Sequence, residues 1–238
     1  MQKQGKTQKY QIEDACSKQE WDQFVTSFKD ANFLQSWDFY EFYKNINHQV
    51  VRRIIKQDYQ IVAAYAGEVE PAKRGRHLAV AGGPILDWQK QDLVDLIFQD
   101  MKEVAQKLNC SFVRVRPQLE FTKKAEQIFR THHFKKAPMY LSVEYAGILD
   151  LSKSEEEILA GMRQRLRRAL RKAEKNQITI EKTTDQSAIR EFYQIELQTA
   201  KRHSFYAFSE KFLISLSQIY KFNISRNSFI VLSSFAFT

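Results

Sequence analysis

The chain is short of cysteine, glycine and proline, and it has no long apolar run. Only Cys16 and Cys110 occur among its 238 residues. Two cysteines make no disulfide framework and by themselves give no metal-ligand spacing. A reducing cytoplasm fits this usage, so a cytoplasmic location is the expectation, with a single secreted disulfide left open. The first fourteen residues are polar and mixed in charge, without the apolar core of a signal peptide. No segment approaches the roughly 18 apolar residues of a membrane span. The longest candidate, 229–237, is short and carries two serines. Of seven glycines, Gly82 and Gly83 stand together before Pro84. No Lys-Ser/Thr and no helix start follow them, so they read as a turn and not as a phosphate-cradling loop. No convincing Ser–His–acid or Cys–His arrangement is present, and no general base can be named.

What is abundant is aromatic and basic. Hydrophobic residues make up 43%, with 18 Phe and 10 Tyr, which predicts a folded protein with a real core. Lys and Arg number 37 against 28 acids, a net charge of +9. Such a chain attracts nucleic acid, anionic lipid or phosphorylated substrates, unless the charge serves solubility alone.

Helical spacing covers Trp21–Lys29, with Ser17 and Glu20 as a capping pair, and an aromatic helix covers Ser36–Asn45. Val50–Ile55 and Gln60–Gly67 read as an antiparallel strand pair turning at Gln57-Asp58. His77–Ala81 is a strand that ends at the Gly-Gly-Pro turn. Gln89–Leu108 is an amphipathic helix, and Cys110–Val115 a strand closed by Pro117. Thr122–Thr131 reads as a helix and Tyr140–Leu149 as a strand. This is a mixed α/β (α+β) unit. A second unit opens at Ser154 and Glu157, a capping box for one long helix to about Asn176. A strand at Gln177–Lys182, helices at Ser187–Arg202 and Ser209–Tyr220, and a strand at Ser228–Phe237 follow. The last strand has an open apolar edge, so the chain is expected to stop partway through this second unit.

Residues 163–175, RQRLRRALRKAEK, carry seven cations against Glu174. Acids at 155–157 and bases later suit the helix dipole, which a solvated helix would also show. The dipole does not account for like charges at Arg163/Arg167, Arg167/Arg171 and Arg168/Lys172, which repel at i,i+4 spacing. Arginine outnumbers lysine, and its fork suits phosphate. Arg163, Arg167, Arg168, Arg171 and Lys172 are therefore candidates for binding the phosphates of tRNA or another polyanion.

Several segments resemble the Fem-type (FemABX) aminoacyl-tRNA-dependent transferases of peptidoglycan-bridge synthesis. FLQSWDFYEFYK (33–44) resembles their QS-x-W-x-E-F-x-K opening, and HLAVAGGPIL (77–86) their strand ending in Gly-Pro. SFVRVRP (111–117) is similar to their R-x-D-P strand. ILDLSKSEEE (148–157) with the basic helix resembles their LDL segment. Residues 192–205 resemble a helix ending in R-x-G-F, here Arg202-His203-Ser204-Phe205. The resemblance spans 33–220 and implies GNAT-like acyltransferase folds, one complete over 1–147 and a partial second over 148–238. It implies transfer of an amino acid from aminoacyl-tRNA to the peptide of a UDP- or lipid-linked peptidoglycan precursor, without metal or organic cofactor. An activated ester needs no nucleophilic side chain, only positioning and electrostatic help. Because the cleft would need the missing sheet, this chain alone is expected to be inactive.

The family's carboxylate in R-x-D-P falls at Arg116 here, and its helix lysine falls at Lys44 or, ungapped, at Tyr43. Ser204 replaces the glycine, and Phe208 lies near a phosphate-binding arginine position. The resemblance makes Trp37, Lys44, Arg114 and Arg202 substrate-binding candidates. Each has a plainer reading: Trp37 as packing, Lys44 as a helix-end cation, Arg114 as one half of an ion pair. His132, His133 and His203 read as surface residues. Two rival functions remain. One is an acyl-CoA N-acyltransferase, against which stands the lack of an R/Q-x-x-G-x-G/A loop; the other is a non-catalytic RNA-binding module. Peripheral contact with the inner membrane surface also stays open, though the basic helix's apolar face is mostly small residues.

Overall fold

A computed structural model describes residues 10–29, 31–73, 75–138, 149–176, 183 and 185–221. The first unit is built on a mixed sheet. Its strands are β1 (Gln11–Asp14), β2 (Gln49–Gln57), β3 (Gln60–Ala72), β4 (Gly75–Gly82), β5 (Ile85–Leu86) and β6 (Phe112–Pro117). The order across the sheet is β1-β2-β3-β4-β6, with β5 paired to β3 beyond the end of β4. All pairings are antiparallel except β4 with β6, which is parallel and is bridged by helix α3 (Gln91–Lys107). The β2–β3 loop is Asp58-Tyr59, both in the left-handed region at φ 49° and 66°. Two such residues match the strand twist of a tight hairpin. The turn thus sits one residue later than the sequence reading placed it. Strand β1 was not expected at all: QIED is polar and lacks an apolar alternation, and pairing with β2 makes it a strand.

Helix α1 (Lys18–Thr26) starts where Ser17 Oγ accepts from Glu20 N at 3.2 Å. A short 3-10 turn (Phe33–Gln35) then leads into α2 (Trp37–Asn45), which Ser36 caps through Phe39 N. These elements cover one face of the sheet. Trp21, Phe39, Tyr40 and Phe42 are buried there against Ile54, Ala64 and Ala66. The other face takes α3, whose Leu93, Val94, Ile97, Phe98 and Met101 are fully buried on Tyr65, Leu78 and Val80. Each such side chain contributes about 1.5–3 kcal/mol by leaving water. Helix α4 (Lys123–Thr131) is capped by Thr122 and follows β6.

The long helix expected after Ser154 is two helices, α5 (Glu155–Gly161) and α6 (Gln164–Lys175). The capping box at Ser154 and Glu157 is present. Met162 and Arg163 are extended, at ψ 147° and 143°. The Arg167 guanidinium folds back and donates to the carbonyls of Ala160 (3.0 Å) and Met162 (2.6 Å), satisfying the end of α5. Apolar periodicity runs through this corner unchanged, so it could not reveal it. Helices α7 (Gln186–His203) and α8 (Glu210–Lys221) follow. Helix α8 lies on α2, with Phe42 and Phe212 edge to face at 4.7 Å and Leu216 in the same cluster. The strands expected at 140–149, 177–182 and 228–237 fall outside the described residues, apart from Leu149, which is not in a strand.

Candidate functional site

On the face of the sheet that carries α2, β3, β4 and β6 place their polar residues in rows. Strand β3 alternates, so Glu68 and Glu70 share this face with Ala64 and Ala66 while Val69 points to α3. Register then brings Glu68 opposite Ala79 and Glu70 opposite His77 on β4. Across β4, Ala79 faces Arg114 and Ala81 faces Arg116. A carboxylate row and a guanidinium row therefore flank a strand that presents the methyl groups of Ala79 and Ala81, with the His77 imidazole beside Glu70. Two strand spacings, about 10 Å, separate the backbones of the two rows.

Glu68 is the centre of this face. Its side chain is 10% exposed and meets Nδ1 of His48. Tyr43 on α2 also hydrogen-bonds it. Burial pushes the Glu68 carboxyl above the ordinary range, against the lowering effect of Tyr43 and His48. Burial likewise raises Tyr43 and Tyr40, with the Glu68 charge adding to both. His48 is held by the end of α2. Asn47, at φ 69°, takes the left-handed position, and the amides of Asn47 and His48 bond back to Lys44 O and Tyr43 O at 2.9 Å each. That is a Schellman ending, and it fixes the His48 backbone. His77 is 2% exposed, lies 3.2 Å from Glu70 and stacks on Phe112 at 4.7 Å.

Gln35 positions the neighbouring backbone. Its side-chain amide is fully buried and accepts from Ala66 N (2.8 Å) while donating to Ala66 O (3.0 Å) and Ala81 O (2.7 Å). It replaces the missing strand where the chain leaves β4 before β5 starts. Gly82 and Gly83 are required by this packing. A Cβ at Gly83 would lie 2.7 Å from Gln35 Cδ, and Gly82 is at φ +73° with Asn32 alongside. The Gly-Gly-Pro segment is not the turn expected from the sequence: β4 and β5 both pair antiparallel with β3, so the chain keeps its direction. The segment is a short detour along one strand edge, with Gly82 against Asn32 and Gly83 against Gln35. Among the described residues no group of three His, Cys, Asp or Glu side chains is placed to hold a metal ion. No helix there is long and apolar enough to cross a membrane.

The FemAB family model matches residues 16–140 and 130–237. The chain belongs to the FemAB family. Among solved structures, FemX matches at 19% identity and a TM-score of 0.68, over 89% of this chain and 54% of its own. The mixed α/β fold is thus shared with FemX, and this FemAB chain spans about half of FemX's length. More distant likenesses are to acetyltransferases. One, predicted from Clostridium acetobutylicum and solved with acetyl-CoA, covers 57% of this chain and 96% of its own at 11% identity and TM-score 0.41. AAC(6')-Iy in complex with a bisubstrate analog covers 58% and 99% at 7% identity and TM-score 0.44. No curated protein matches.

The FemAB chain distributes the residues singled out from its sequence over several places. Trp37 packs edge-on to Trp21 and lies under the Arg52 guanidinium at 4.0 Å. Arg52 in turn bonds Trp37 O and Glu41. Lys44 pairs with Glu41 at 2.9 Å and lines a shallow cavity of about 420 Å³ with Arg53 and Lys107. Burial works to raise the Glu41 carboxyl, but hydrogen bonds from Lys44 and Arg52 outweigh it and hold it below the ordinary range. Arg114 sits on β6, in the guanidinium row, and lines a larger cavity of about 670 Å³ with Arg116 and Phe129. Arg202 is exposed in the last turn of α7, before Ser204, whose φ of 56° is the left-handed value that suits the family's glycine. On α6 no residue is buried, and Arg163, Arg168, Arg171 and Lys172 have no carboxylate partner among the described residues. Arg167 differs, because its guanidinium is used on α5. The polar face itself was not singled out. His48, Glu68, Glu70 and His77 went unweighed, though the Glu-Val-Glu alternation in an otherwise apolar strand was the available signal.

Proposed function

We propose that this FemAB chain transfers an amino acid from aminoacyl-tRNA to an amine of a peptidoglycan-precursor peptide. The observation that carries the reading is the family match over both units. The geometry adds to it. An acyl transfer to an amine needs a proton acceptor near the nucleophile and cationic groups near the developing oxyanion or the phosphates. Carboxylates with histidines on β3 and β4, and guanidiniums on β6, are of those two kinds. Sequence reading expected inactivity because the cleft was assigned to a further sheet. We assign the chemistry instead to the polar face of the first unit. The cations of α6 are the proposed contact for the phosphates of the RNA donor, and the precursor, UDP- or lipid-linked, is the proposed acceptor.

The test incubates the full chain with tRNA charged with radiolabelled amino acids and a UDP- or lipid-linked muropeptide. Label appearing in the muropeptide supports the reading. Absence of transfer to either acceptor refutes it. One observation favours a second reading, a non-catalytic RNA-binding module: among the described residues Arg163, Arg168, Arg171 and Lys172 have no carboxylate partner. That reading requires equal affinity for charged and uncharged tRNA and no binding of muropeptide.

A further inference from the structure

We propose that His48, oriented by Glu68, is the proton acceptor of this site and takes the proton of the attacking acceptor amine. The assignment rests on the transfer reading above. Its basis is geometric. His48 Nδ1 faces the Glu68 carboxylate, so the ring's proton is placed on Nδ1 and the Nε2 lone pair is left outward. The His48 side chain is 27% exposed and that of Glu68 10%, so the imidazole meets solvent while its partner is sheltered. Among the described residues no hydrogen bond engages His48 Nε2. The Schellman ending of α2 fixes the His48 backbone, and the Tyr43 ring lies 5.5 Å from the imidazole. A ring fixed at both backbone and Nδ1 pays little ordering entropy when it works as a base.

The step balances without any added reagent. The neutral amine attacks the ester carbonyl carbon, and a carbon–nitrogen bond forms. His48 Nε2 takes one proton from that nitrogen. The imidazolium is offset by ionised Glu68. Collapse of the tetrahedral species breaks the carbon–oxygen bond to the ribose, and the imidazolium returns its proton to the departing ribose oxygen. The products are an amide and a tRNA with a free terminal hydroxyl. Of the other titratable or charged groups, Tyr40 and Tyr43 from α2 and Glu70 from β3 act on the Glu68 carboxyl, His77 from β4 lies beside Glu70, and Arg114 from β6 stands two strands from Glu68 on the same face.

Two measurements on the full chain test this. The first is nitrogen-15 NMR of the imidazoles near neutral pH. Expected is a His48 ring protonated at Nδ1 and bare at Nε2, a state lost in Glu68→Gln. A ring protonated at Nε2 alone overturns the proposal. The second is the transfer assay. Expected in His48→Gln is a kcat lower by about 10²–10⁴ with KM within about threefold, the usual scale for a lost general base. Partial recovery of His48→Ala by added imidazole is also expected, which a merely structural role would not give. Far-UV circular dichroism checks that each variant is folded. Transfer that survives His48→Gln overturns this assignment and leaves the functional reading intact. A wild-type chain that transfers nothing overturns both.

Discussion

Replacing Gln35 with leucine should strip the sheet of a surrogate strand. Leucine nearly fills the same volume but offers no donor or acceptor. Ala66 C=O keeps the Tyr40 hydroxyl at 2.7 Å. Ala66 N–H and Ala81 C=O lose the partner seen here, in a site with no solvent access at Gln35. Each orphaned buried group costs about 1–3 kcal/mol, so two give about 2–6. Leucine's apolar burial returns about 1 kcal/mol at most, leaving a net loss of about 1–5. Against a typical domain stability of about 5–15 kcal/mol this is a large fraction. Urea unfolding followed by tryptophan fluorescence reads it directly, because Trp21 Nε1 donates to Gln35 O at 2.8 Å. The midpoint should fall with the slope unchanged. Gln35→Glu gives an independent signature. Its ionised form has no donor for Ala81 C=O, and its protonated form regains one, so its deficit should shrink on acidification. A Gln35→Leu loss below about 1 kcal/mol would refute the surrogate-strand account.

Other outcomes follow from the same structure. Gly83→Ala should cost about 1–3 kcal/mol through crowding of the Gln35 amide, and less than that in a Gln35→Leu background, as a double-mutant cycle in urea can show. The Glu68 carboxyl is raised in the folded state, so the native chain holds that proton more tightly than the unfolded chain. Stability should therefore decline on its account as pH climbs from about 4.5 through the higher native value. Glu68→Gln should flatten that stretch of the urea-midpoint profile, and an unaltered slope would count against the burial argument. Changing Arg163, Arg168, Arg171 and Lys172 together to Gln should weaken tRNA binding. It should also reduce the slope of log affinity against log salt by about 0.7–0.9 per lost phosphate contact. A slope that does not move would remove α6 from the RNA interface.

Local signals carried much of the fold. Capping at Ser17 and Ser154 marked helix starts correctly, because each cap is a contact between residues three apart; Ser36 and Thr122, where two further helices were read to begin, are also caps. The β2–β3 hairpin and the amphipathic α3 were legible from apolar spacing for the same reason. Strand β1 was not, since its four residues become a strand only through pairing with Arg53–Lys56. Nor was the corner at Met162–Arg163, which depends on a side chain returning to carbonyls five and seven residues back. The candidate site fared worse, because it is assembled from distant pieces. His48 and Glu68 are twenty residues apart, and Glu68 and Arg114 come onto one face only through the register of two strand pairs. Gln35 stood inside a quoted family motif, yet its role needed Ala66 and Ala81 in view. Lys44 was weighed as a phosphate ligand or a helix-end cation, and Glu41 one turn earlier holds it.

Helix α2 has two neighbours with different tasks. Its Phe42 is wedged against Phe212 of α8, while the adjacent Tyr43 grips the carboxylate that orients His48. From Phe212 the path to the imidazole runs through Phe42, its chain neighbour Tyr43 and the Glu68 carboxylate. Residues late in the chain thus help to hold the helix on which the Glu68–His48 pair rests.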